Sequence, residues 1–307
     1  MLTRETMGGI YAIPPTPFNK NGEFDEENFR QNVRTLCEIG ARGVVTTGSV
    51  GEFHTIRWED HQRLIEALVA ETRGKPTISI AGCSGVNTDE AIKKAKFAEE
   101  CGADAVMNVS PYYVRLTPRE LVKFWRDLAE ACPSIGIIVY NNPGTAQIHD
   151  VEIFRELAKI PSMCGSKEAH HDFGLWYRLH YEGKLAHMTA TELTWFVPTM
   201  KLGSKGIFSM SAAMCPGYIL KLYESCRNND WEQATRMQFR LHDVWRTLDS
   251  LDMLAGYHAL ARFKAYVNAF GFLSCGITRK PFIPVPDDIQ KRLTDYVQKE
   301  FNDLINC

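Results

Sequence analysis

Lys167 ends the run MCGSK at residues 163–167, behind the small, uncharged Cys164, Gly165 and Ser166. Tyr140 ends the run GIIVY at residues 136–140. A lysine withdrawn from water sheds its proton more readily, and a neutral amine attacks a carbonyl carbon. A phenol within reach can carry protons to and from the adduct. Neighbouring strands lie about 4.8 Å apart, so two such residues at matching strand ends would meet. Taken singly, a strand-end lysine also suits a solvated surface, and a strand-end tyrosine suits a core with its hydroxyl at the rim.

A third feature is the turn GSVGEF at 48–53, ahead of the helical TIRWEDHQRLIEALVAE. Exposed amides at such a turn, which begins at Gly48, would suit a carboxylate, and Ser49 adds a hydroxyl. A plain tight turn carries the same glycines. His170 and His171 stand near Glu168, but adjacent side chains diverge and the nine histidines show neither H-x-H nor H-x-x-x-H spacing. Neither a metal nor a cofactor is expected.

The elements that must position these groups are short β-rich runs alternating with amphipathic stretches. Eight strands are predicted, at 9–13, 43–48, 77–81, 105–110, 136–140, 163–167, 186–190 and 206–210. Helices lie between them, such as DEENFRQNVRTLCEIG, with Asp25 as N-cap and Gly40 as stop, and NTDEAIKKAKFAEECGAD, opened by Asn87 or Thr88 and closed by Gly102. Eight such units, with no G-x-G-x-x-G after the first strand, favour a (β/α)8 TIM barrel over a doubly wound sheet. Chemistry in such a barrel gathers at the carboxyl ends of the strands. Lys167, Tyr140, Ser49 and the SPYY of 110–113 all fall there.

Beyond Met210 the strand signal stops, and helices are predicted at 216–229, 231–250, 254–270 and 286–303. The first completes the eighth βα unit. The chain is therefore divided into a catalytic barrel, 1–229, and a C-terminal helical extension, 230–307.

With 307 residues, 45% hydrophobic and 23% charged, and a net charge of −2, the chain has a sizeable core and no basic face for nucleic acid or membrane. Its partner is expected to be a small molecule. Nine scattered cysteines without C-x-x-C read as reduced thiols and a cytoplasmic location. Neither a signal peptide in MLTRETMGGIYAIPPTPF nor a membrane-spanning run is expected. The glycosylation triplet at Asn108 lies within a predicted strand and is discounted.

PPTPF at 14–18, GSVGE at 48–52, SPYYVRLT at 110–117, YNNPG at 140–144, GSKEA at 165–169 and GIFSM at 206–210 occur in an order and spacing that resemble the dihydrodipicolinate synthase and N-acetylneuraminate lyase superfamily. The resemblance spans about residues 8 to 300. It implies a (β/α)8 Schiff-base enzyme acting on pyruvate or another 2-oxo acid together with an aldehyde, assembled as a homotetramer of two dimers. It also implies that Lys167 forms the imine, Tyr140 transfers protons, Ser49 continues the relay and Tyr113 is lent across a dimer interface. The amides of Ser49 and Val50 would hold the carboxylate, and Phe208 would offer its backbone at the floor.

Departures narrow the choice. Dihydrodipicolinate synthases usually place an arginine where Thr145 stands in YNNPGTAQ, which argues against that second substrate. TATELTWF at 189–196 offers Thr191, Glu192 and Trp195, a set less suited to a sugar, although Glu192 could bind hydroxyls. GEFHTIRWED and YNNPGTAQIHD are most similar to trans-o-hydroxybenzylidenepyruvate-type hydratase-aldolases. Those enzymes tend to carry tryptophan at the position of Phe208 and asparagine at that of His258. The expected activity is thus hydration and retro-aldol cleavage of an arylidene pyruvate, with His258 and Trp195 lining the acceptor pocket. A 2-keto-3-deoxy sugar-acid aldolase or dehydratase, a dihydrodipicolinate synthase-like enzyme and a non-catalytic binding protein on the same fold are the alternatives.

Overall fold

Alternation along a barrel strand sends one set of side chains inside and the other beneath the surrounding helices. The computed structural model describes all 307 residues. Strands β1 Gly9–Ala12, β2 Gly43–Thr46, β3 Ile78–Gly82, β4 Ala105–Asn108, β5 Gly136–Asn141, β6 Met163–Glu168, β7 Ala186–Thr189 and β8 Gly206–Ser209 close in chain order into one parallel barrel. Around it run α1 Glu26–Ile39, α2 Trp58–Thr72, α3 Thr88–Cys101, α4 Pro118–Ala131, α5 Val151–Leu157, α6 Phe173–Glu182, α7 Phe196–Lys201 and α8 Pro216–Arg227. The fold is a (β/α)8 TIM barrel. Four more helices follow: α9 Trp231–Asp249, α10 Ala259–Phe270, α11 Asp287–Glu300 and the single turn α12 Asn302–Ile305.

Local chemistry explains the boundaries. Asp25 accepts from the Asn28 amide at 3.2 Å to start α1, and Asn87 accepts from Glu90 at 2.9 Å to start α3. Gly40 and Gly102 end the same helices in left-handed conformations, φ 93° and 87°. The helix expected over 254–270 begins only at Ala259. Gly256 turns left-handed at φ 83°, and the His258 side chain accepts from the Leu260 amide to cap α10. The helix expected over 286–303 breaks after Glu300, where Phe301 leaves helical geometry with φ −122°. Gly48, Ser110, Ala190 and Met210 lie past the ends of their strands and belong to loops at the mouth.

Tyr11, Ile13, Val45, Ile80, Met107, Ile138, Met188 and Phe208 fill the barrel interior, with Leu2 and Met7 in the same cluster. Helices α8 to α11 share a second core with β1, β8 and α1. No helix is long and apolar enough to cross a membrane.

Candidate active site

In β6 the register against β5 slips: Met163 pairs with Ile137, but Gly165 pairs with Ile138, leaving Cys164 as the extra residue of a bulge. Met163 packs outside the barrel among the helices, so strict alternation would turn Lys167 outward as well. The bulge resets the alternation, and Lys167 faces in opposite Tyr140, its register partner. Gly165 accommodates this, since a Cβ there would lie 2.0 Å from the Ala186 carbonyl oxygen.

Lys167 is 3% exposed. Its Nζ lies 3.9 Å from the Tyr140 ring centroid and 5.8 Å from that of Phe208, and it enters no ion pair. Phe208 packs on Tyr11 at 5.0 Å, so its ring lines the barrel interior beside the amine. At the mouth, the Ser49 hydroxyl donates to the Tyr140 hydroxyl at 3.5 Å. The Ser49 and Val50 amides find no acceptor within the protein and remain free to bind an anion. Gly48 sits over the interior, where a Cβ would touch Met107 at 3.5 Å. The structure therefore brings Lys167, Tyr140, Ser49 and Phe208 together, with Gly48 and Val50 beside them.

The other residues singled out above lie elsewhere around the mouth. Tyr113, in the loop after β4, is 84% exposed and makes no hydrogen bond within its own chain. The Thr191 hydroxyl is 2.6 Å from that of Thr189. Trp195 is half-buried and packs edge-on against His170 and Phe173, at 5.8 and 5.4 Å. His258 is exposed and lies against Phe282 at 4.6 Å. Thr145 folds back to accept from the Asn142 side chain at 2.9 Å, making a neutral turn.

Two buried polar clusters escaped the sequence reading. Behind Lys167, the Glu168 carboxylate accepts from Asn141 at 2.8 Å, from Ser166, and from His170 at 2.7 Å, with His187 at 3.5 Å. Burial alone would push this carboxyl up, but the hydrogen bonds and charge of His170 and His187 hold it down at about 2. His170 is thus committed to a carboxylate. In the second cluster, Glu192 accepts from the Ser211 amide and hydroxyl at 2.8 and 2.7 Å and from the Ser209 hydroxyl. Burial raises its carboxyl above the ordinary range against these donors. Trp245 of α9 closes the cage by donating to Ser211 at 2.7 Å. The available signal was polarity where parallel strands are normally apolar on both faces: Ser166 and Glu168 in β6, His187 in β7 and Ser209 in β8.

A closed parallel barrel whose strand-end lysine, phenol and glycine turn share one mouth defines a (β/α)8 enzyme with its chemistry at the carboxyl ends of the strands. Residues 6–300 match the dihydrodipicolinate synthetase family, and the chain belongs to it, a family of lyases and synthases. The 4-hydroxy-tetrahydrodipicolinate synthase of Methanospirillum hungatei JF-1 is 32% identical over 247 residues, covering 78% of this chain and 83% of its own. The crystal structure of a dihydrodipicolinate synthase superposes with a TM-score of 0.85 at 27% identity, over 96% of this chain and 99% of that one. A catalytic-lysine mutant of the sialic acid aldolase of Ruminococcus gnavus shares the fold, with a TM-score of 0.88 at 21% identity, over 99% and 100% of the two chains.

Proposed function

We propose that this protein is a class I pyruvate lyase in which Lys167 forms an imine with a 2-oxo acid. The observation that carries this reading is an amine buried against the Tyr140 ring, opposite it in register and free of any carboxylate partner. Nζ adds to the 2-oxo carbon, and loss of water from the carbinolamine leaves an iminium. The iminium then accepts the electron pair of the breaking carbon–carbon bond, so an enamine forms instead of a free carbanion. Tyr140 takes the proton from the hydroxyl of the fragment that leaves as the aldehyde and returns one to the enamine carbon, with Ser49 continuing the relay. Hydrolysis of the imine releases pyruvate and regenerates the amine. The Ser49 and Val50 amides hold the carboxylate throughout.

For the second substrate we favour an aldehyde derived from an arylidene pyruvate, hydrated before cleavage. Three features support this. The turn and the loop after β4 present Phe53 against Tyr112 at 5.9 Å, and His54 and His258 flank Phe282 at 5.5 and 4.6 Å, an aromatic rim. Thr145 offers no cation to a second carboxylate. Glu192 has both oxygens engaged internally, which leaves it poorly placed to bind a sugar hydroxyl. The competing reading, a dihydrodipicolinate synthase-like activity, draws on the 32% identical relative named 4-hydroxy-tetrahydrodipicolinate synthase. We further propose a homotetramer of two dimers, in which the exposed Tyr113 enters the partner's mouth.

Borohydride reduction in the presence of pyruvate, followed by peptide mapping, tests the imine. Label is expected on Lys167 and is expected to vanish in Lys167→Ala; label on another residue overturns the assignment. Pyruvate consumption with a panel of aldehydes tests the acceptor. Aromatic aldehydes are expected to outrun glyceraldehyde and aspartate semialdehyde, and the reverse order rejects the arylidene reading.

A further inference from the structure

Glu52 follows the glycine turn in a left-handed conformation, φ 55°, that is uncommon for a residue with a side chain. Its carboxylate is fully buried and is held from the C-terminal extension. Lys264 of α10 reaches Oε1 at 2.6 Å, and the Arg279 backbone amide donates to Oε2 at 3.0 Å. Both supports are themselves fixed. Lys264 also donates to the Ile277 carbonyl at 2.7 Å and lies over the Phe18 ring at 4.3 Å. The Arg279 guanidinium donates to Asp60 at 2.8 Å and to the Thr55 carbonyl at 3.1 Å. No chemistry proposed above uses Glu52, Lys264 or Arg279.

The consequence follows from the planarity of the peptide bond. The Glu52 amide donates to the Ser49 carbonyl at 3.1 Å, and the Phe53 amide donates to the Gly48 carbonyl at 3.2 Å. In a trans peptide the carbonyl and the next residue's N–H point in opposite directions. Holding the Ser49 carbonyl inward therefore aims the Val50 N–H outward, and holding the Gly48 carbonyl aims the Ser49 N–H likewise. Neither of those two amides has an acceptor in the protein. Gly51 completes the turn: a Cβ there would meet the Thr47 nitrogen at 3.0 Å, and its carbonyl accepts from Thr16 at 2.7 Å.

We infer that the C-terminal extension is part of the carboxylate-binding machinery, with Glu52 and Lys264 as positioning residues whose buried ion pair aims the Ser49 and Val50 amides at the substrate carboxylate. The inference rests on the imine reading of Lys167. It adds that affinity for the charged end of a 2-oxo acid is set from α10. Lys264 and Glu52 touch no reacting atom and act only through the turn.

The double variant Glu52→Gln/Lys264→Met removes both charges together, so neither is left unpaired in the interior. Borohydride trapping is then followed against the concentration of pyruvate and, separately, of methyl pyruvate, which has the same 2-oxo group without the anionic carboxylate. For pyruvate the half-saturating concentration is expected to rise about tenfold, the scale of one charge-assisted contact to an anion. The trapping limit at saturation should be unchanged, and methyl pyruvate should show no shift. Equal half-saturation for pyruvate in parent and double variant overturns the inference, as does an equal rise for the two ligands, which marks general loosening of the site. Should the double variant not fold, Arg279→Gln loosens the same support from its outer side, and a rise of about threefold for pyruvate alone is expected, with no rise refuting the inference. Failure of the parent to label Lys167 counts against the imine reading and not against this coupling.

Discussion

Replacing Glu168 by glutamine keeps the shape of a fully buried side chain while removing its charge. The carboxyl is held at about 2 against an ordinary 4.5. At about 1.4 kcal/mol per tenfold, that difference corresponds to about 3 kcal/mol of stability. The sign follows from the direction: the folded-state value lies below the unfolded one, so the contribution is complete above about pH 4.5 and drains away as pH falls toward 2. Urea unfolding of parent and Glu168→Gln at a series of pH values between 7 and 2.5 measures it. The parent is expected to be more stable by about 3 kcal/mol at pH 7, with the gap shrinking steadily below pH 4.5. Taking the difference between the two proteins cancels the other carboxylates that titrate in the same window, such as Glu26 and Glu71. A gap that stays constant from pH 7 to 2.5 would refute the reasoning, because it would mean that ionisation of Glu168 does not stabilise the cluster behind Lys167.

Two further substitutions test the barrel mouth and its closure. Tyr140→Phe leaves the ring under the amine but removes the phenol, so turnover is expected to fall by about 10²–10⁴ while the melting temperature stays near that of the parent; turnover within threefold of the parent would remove Tyr140 from the proton path. Gly206→Ala would place a Cβ 2.0 Å from the Gly9 carbonyl oxygen, at the seam where β8 meets β1, and is expected to abolish the cooperative unfolding transition seen by circular dichroism. A parent-like transition in that variant would contradict the closeness of the seam.

Much of the architecture was legible because it is written in local signals. Asp25, Asn87, Gly40 and Gly102 cap or stop their helices by hydrogen bonds and left-handed geometry that involve only near neighbours. The eight apolar runs could be counted for the same reason. The 254–270 helix was harder, since Gly256 and His258 interrupt a stretch whose apolar pattern continues. The Glu168 and Glu192 clusters were missed because their partners come from several strands, loops and α9. The spacing of His170 and His171 argues only against a metal site, and nothing local reveals that His170 serves the carboxylate two residues away.

The amino-acid sequence alone determined the number and order of the strands, the ends of the early helices, and the placing of Lys167 and Tyr140 at the carboxyl ends of neighbouring strands. Those properties depend on period, capping and chain order, all short-range. Only the tertiary structure decided that Lys167 faces inward, because a bulge at Cys164 offsets an alternation that would otherwise turn it toward the helices. It also decided that Glu52 is gripped by Lys264 and Arg279, residues brought to it by the packing of α10 and the segment after it against the barrel. Side-chain direction and long-range pairing are set by closure of the whole barrel, and no local run of residues carries that information.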